Sequence, residues 1–119
     1  MDDLVEFLRA RLDEDEQVAR AAAGRNWLDG DGWLMNEDMH IAEVGDRPTL
    51  VHIAAHDPAR VLREVEAGRR LIRAHAKWCE GRCEAKYPEG GFDAAHYWNI
   101  KVRAEVYSDR PGYRPEWRP

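Results

Sequence analysis

The sequence predicts an α+β domain that is mainly helical: three major helices, one short helix and a small antiparallel β-hairpin. Three observations predict it. Apolar residues recur at helical spacing over three long stretches. Between the first two stretches lies a segment that alternates in polarity and is broken by Gly and Asp. Pro58 and Gly81 stand where helices start or stop. At 119 residues the expectation is one domain over 1–119, large enough to hold a modest core without crosslinks.

The first element is an acidic helix within residues 1–24. Asp3 and Glu6 have the spacing of a capping box, with Asp3 as cap. Leu4, Leu8, Leu12, Ala19 and Ala22, with Phe7 beside them, form its apolar face. Gly24 is the stop, because glycine tolerates the left-handed backbone. Residues 27–46 form the hairpin region. Strands 33–35 and 39–44 flank the turn Asn36–Glu37–Asp38, and Gly30–Asp31–Gly32 is a turn before them. Two strands are marginal alone, so the hairpin needs the helices.

A short helix, Thr49 to Ala55, and a long helix fill residues 49–80, with Gly45–Asp46–Arg47–Pro48 as the loop before them. Asp57 is a good N-cap, and Pro58 suits the first position of the long helix. Val61, Val65, Gly68, Ile72, His75 and Cys79 make its inward stripe. The last helix occupies 92–107, with Ala95, Trp98, Val102 and Val106 read as its buried face. The tail 108–119 is read as an extended aromatic segment, too rich in proline to be helical. Tyr113 and Trp117 are its apolar anchors.

Composition narrows the setting. The chain is 44% hydrophobic and 34% charged, as expected of a soluble globular protein. No apolar run approaches the ~20 residues of a membrane span. The start MDDLVEFLRARL lacks the basic, apolar pattern of a secretory signal, so a cytoplasmic setting and no membrane contact are expected. Two cysteines do not make a disulfide framework. Residues 1–57 carry 5 basic and 14 acidic side chains, and residues 58–103 carry 10 basic and 6 acidic. A split of this kind can steer a charged partner.

The segment HIAAHDPARVLREVEAGRRLI, the end YSDRPGYRPEWRP and the acidic start MDDLVEFLRARLDEDEQVARAA resemble a family of small proteins of actinobacteria and their phages. That family is a domain of unknown function. The resemblance covers about half the chain and brings no activity with it. It implies a bacterial or phage origin.

One constellation could carry chemistry. His52 and His56 are four apart, as are His75 and Cys79, and Cys83 follows. Zinc hydrolases use a histidine pair with this spacing, but Ile53 stands where their general base is a glutamate. No catalytic residue is therefore assigned. A structural zinc site is the remaining metal reading, with His75, Cys79 and Cys83 as its ligands and His52 and His56 as further candidates. Nineteen helical residues from His56 to His75 span about 28 Å, so all four cannot easily converge. His40 or His96 could complete the trio instead. Otherwise no cofactor is expected. The competing reading makes Cys79 a small buried apolar group.

The expected function is a small non-enzymatic binding or regulatory protein that acts through protein contacts or self-association. Five tryptophans in so short a chain suit an interface. Trp33, Arg69, Arg73 and Trp117 are the candidate partner-binding residues. A short helix, a tight turn and an arginine-bearing helix also resemble a helix-turn-helix in outline. The acidic balance of the chain argues against nucleic acid.

Overall fold

A computed structural model describes residues 2–78 and 91–119, and for Asp2, Trp78, Phe92 and Asp93 the backbone alone. The expected helix stop at Gly81 lies outside the described residues. The described order is α1 (Asp2–Ala21), β1 (Leu28–Gly30), β2 (Trp33–Met35), β3 (His40–Glu43), α2 (Arg47–Ala55), α3 (Pro58–Trp78), α4 (Phe92–Glu105) and a 3₁₀ turn at Pro115–Trp117. The chain divides into two compact units. The terminal unit comprises Met1–Asp13 and Glu66–Pro119, and the central unit comprises Glu14–Val65.

In the terminal unit, the leucine row of α1 is the core. Leu4, Leu8 and Leu12 are fully buried, as the helical spacing predicts, and Phe7 lies beside them. The tail closes on this face. Phe7 meets Trp117 at 5.2 Å and Tyr113 edge-on at 5.7 Å between ring centroids. Gly112, with φ +92°, turns the chain back there, and a Cβ at that position would stand 3.8 Å from the Phe7 ring. Asp3 sits inside the first helical turn rather than capping it, and its carboxylate meets Arg114 at 3.1 Å. Gly68 of α3 leaves room for Leu12: a Cβ at that position would come within 2.9 Å of the leucine.

The buried face of α4 differs from the expectation. Trp98, Val102 and Val106 are exposed, and Ala95 with them. The face turned inward is Ala94, Tyr97, Ile100, Ala104 and Tyr107. This helix has apolar residues on two sides, so periodicity alone does not choose. The chosen row has small alanines that allow close approach and tyrosines that keep a polar tip.

In the central unit, the sheet has three strands in the order β1-β2-β3, all antiparallel, rather than the expected two. The missed strand is Leu28–Gly30. Its turn is Asp31–Gly32, with φ +50° and +88°, the left-handed pair that matches the twist of a two-residue hairpin. Helix α2 starts two residues earlier than expected. Asp46 caps it, accepting the Thr49 N–H at 3.0 Å, and Pro48 lies in its first turn. The cap on α3 is as expected. Asp57 accepts the Arg60 N–H at 2.9 Å, and Pro58 opens the helix.

Candidate functional site

The central sheet presents two unlike faces. Register puts Asp29, Leu34 and Ala42 on one side, and Leu28, Gly30, Trp33, Met35, His40 and Glu43 on the other. A bulge beside Met35 makes His40, not Ile41, its partner, which returns His40 to the Trp33 side. Helix α2 lies on the first face. Leu34 and Leu50 are buried, and Arg47 pairs with Asp29 at 3.2 Å.

The second face stays open. Leu28 is 50% exposed and Trp33 36%. Trp33 stacks on His40 with centroids 4.9 Å apart and planes at 20°. Met35 runs across Gly30, where a Cβ would collide with its sulfur. The result is a shallow apolar strip over three strands.

The strip is held on a polar frame. Asn36 is buried, and its side-chain oxygen accepts the N–H groups of Asp38 and Met39, both at 2.8 Å. Its amide donates to the Ala23 carbonyl at 3.2 Å, and Trp27 Nε1 donates to the same oxygen at 2.7 Å. Those bonds satisfy a carbonyl that the end of α1 leaves unpaired. Glu37 Oε1 accepts from Asn26 N at 2.7 Å and Asn26 Nδ2 at 3.0 Å. Backbone N–H groups, its own first and then that of Asn26, hold the Glu37 carboxyl below its usual range. Asp57 also accepts the Trp27 N–H, at 3.1 Å.

Charge around the strip is one-sided. Residues 27–46 hold six carboxylates, Asp29, Asp31, Glu37, Asp38, Glu43 and Asp46, and no Lys or Arg.

The other candidate residues fall elsewhere. Trp117 is 8% exposed and belongs to the core with Phe7, under the Arg114 guanidinium at 5.2 Å, so it is not on the surface. Arg69 pairs with Asp13 at 2.9 Å, and Arg73 with Glu66 at 2.7 Å. His52 and His56 are exposed neighbours with rings 4.3 Å apart, and His56 Nδ1–H donates to the His52 carbonyl at 2.8 Å. His75 is buried and stacks with His96 at 5.9 Å. Cys79 and Cys83 lie outside the described residues. Among the described residues, no three of His, Cys, Asp or Glu are grouped to hold a metal ion.

A family model matches residues 1–119, the family of unknown function DUF6221. The chain belongs to that family. No curated protein and no solved structure matches the chain. The sheet strip of this DUF6221 chain therefore has to be read from its own geometry. Sequence reasoning found Trp33 but missed Leu28 and His40, its companions. Asp31–Gly32 was the signal for them, since an Asp-Gly turn implies a strand before it as well as after. Among the described residues, no helix is long and apolar enough to cross a membrane.

Proposed function

We propose that this chain is a small non-enzymatic binding protein of the actinobacterial or phage cytoplasm, and that the open sheet face is its contact surface. The observation that carries the proposal is the exposed pair Leu28 and Trp33 on one sheet face, with Trp33 stacked in place by His40. A rigid, half-exposed tryptophan is the kind of anchor that dominates interface energy. The opposite face of the same sheet is already covered by α2, so the strip is the side left for a partner.

Charge selects the partner. Six carboxylates in residues 27–46, of which Asp29 pairs with Arg47, repel phosphate backbones and attract a basic rim. The partner is a protein segment that combines apolar side chains with Lys or Arg. The nucleic-acid alternative is weakened further on α3. Arg60, Arg69, Arg70 and Arg73 each have a carboxylate neighbour, respectively Glu64, Asp13, Glu66 and Glu66. Zinc binding through His75 and the two cysteines stays a separate proposal, read out by metal content of the purified protein.

The test compares captured proteins from an actinobacterial lysate for the wild type and Trp33→Ala, followed by reconstitution with the purified candidate. Trp33→Ala should weaken that complex by about 2 kcal/mol or more. The complex should also weaken as salt rises. Equal binding by the wild type and a folded Trp33→Ala protein would reject the sheet face.

A further inference from the structure

A second site lies in the terminal unit and does not depend on the sheet face. Arg9, Asp13, Arg69, Ile72 and Arg73 line an open cleft of about 230 Å³. Arg9 and Asp13 are four apart on α1, and Arg69, Ile72 and Arg73 share one edge of α3 by their spacing of three and four. Two helix edges thus bring three guanidinium groups and one carboxylate to a single depression. Ile72, 5% exposed, is its apolar floor.

The cations are unequally engaged. Arg69 Nη2 donates to Asp13, and Arg73 Nη2 donates to Glu66. Each guanidinium has five N–H donors, more than one carboxylate oxygen engages. Arg9 has no hydrogen bond or ion pair with any described residue, and it is exposed. The existing pairs orient Arg69 and Arg73 without removing their charge. Exposed pairs of this kind are weak enough to share with a stronger anion.

We propose that this cleft binds a phosphate group, with Arg9, Arg69 and Arg73 as its donors. Planar guanidinium forks match the tetrahedral oxygens of phosphate two at a time. Three arginines against Asp13 and Glu66 still leave a positive balance that an anion meets. The cleft is open on one side, so the phosphate can be free or can be carried by a small molecule that extends outward. Asp13 stands beside the site and can accept from a hydroxyl of such a carrier.

The test is calorimetric titration of the full chain with inorganic phosphate and, separately, with ribose 5-phosphate. Arg9→Ala is the decisive variant, because Arg9 is exposed and supports no described contact. Arg63→Ala removes the same charge from an exposed position outside the cleft lining and serves as control. Saturable phosphate binding that weakens roughly tenfold in Arg9→Ala and stays within about twofold in Arg63→Ala supports the proposal. Tighter binding of ribose 5-phosphate assigns the phosphate to a carrier, and equal binding assigns it to phosphate itself. No saturable binding of either at about 10 mM would overturn it. Equal losses in the two variants would overturn it too, since they would show a general charge effect. So would an oligonucleotide that binds more tightly than both small ligands and depends on Arg9.

Discussion

Twelve of the buried apolar side chains among the described residues belong to the terminal unit and four to the central unit. The central unit makes up the deficit with directed bonds. Asn36, Glu37, Asp46 and Asp57 each accept one or more backbone N–H groups, at 2.7 to 3.1 Å. Apolar burial is indifferent to pH and tolerant of small shifts, whereas a side-chain acceptor acts only in one geometry, and a carboxylate accepts best when ionised. The comparison teaches why an open apolar strip can exist on the central sheet at all. Its strands are fixed by polar groups at their turns, so the strip need not be buried to keep its shape.

The largest test of this contrast is Leu8→Ala. Leu8 is fully buried in the terminal core, and the loss should be about 2–5 kcal/mol by denaturant titration. A loss under about 1 kcal/mol would show that apolar packing does not hold this unit. Next is Asn36→Ala in the central unit. It removes three side-chain bonds at a buried position and should cost about 2–3 kcal/mol. Amide exchange should rise over β1–β3, and unchanged protection there would break the polar side of the comparison.

Gly68→Ala is smaller and has opposing terms. Alanine favours the helix by about 1 kcal/mol, while crowding against Leu12 costs about 1–3 kcal/mol. The expected net is a modest destabilisation, and a higher melting temperature would mean that Leu12 yields. Tyr113→Phe is smaller again. Its hydroxyl is buried with no hydrogen-bond partner among the described residues, and burial pushes its ionisation up. Losing that oxygen should change stability by less than about 1 kcal/mol, toward greater stability.

Acid should separate the units by direction alone. Glu37 and Asp46 have carboxyls held below their ordinary values, Glu37 by backbone N–H groups and Asp46 by the Thr49 hydroxyl and N–H. A lowered folded value means that the stabilisation is complete above the unfolded carboxylate range and is lost as pH falls through the folded value. The central unit should therefore loosen first on acidification, seen as amide exchange corrected for its intrinsic pH dependence. Glu37→Gln should remove its share of that sensitivity. Glu66, held down first by its hydrogen bond from Arg73, adds a surface contribution of the same sign in the terminal unit.

How legible this was depended on the range of the interactions. The leucine row of α1 and the Asp57–Pro58 start of α3 could be read because both depend on residues within one or two helical turns. Leu28–Gly30 was hidden because Asp and Gly are poor strand formers, and only pairing with β2 makes them a strand. The face of α4 was misread because two apolar rows compete, and the choice is made by what packs on them. At the site, Trp33 stood out by composition, but its companions follow from a register and a bulge that sequence does not display. Arg69 and Arg73 were visible as a helical pair. Arg9 was not, since it lies sixty residues earlier and joins them only through the cleft.

The bond from Arg11 to the Pro111 carbonyl spans a hundred residues, and Asp3 with Arg114 spans still more. During synthesis the leucine face of α1 is therefore made long before Trp117 arrives to cover Phe7. The β1–β3 meander, by contrast, pairs within residues 28–43, and short loops close at small entropic cost. On the ribosome the sheet can order while α1 waits with its apolar face open. That interval leaves an apolar helix face uncovered, the condition under which nascent chains associate.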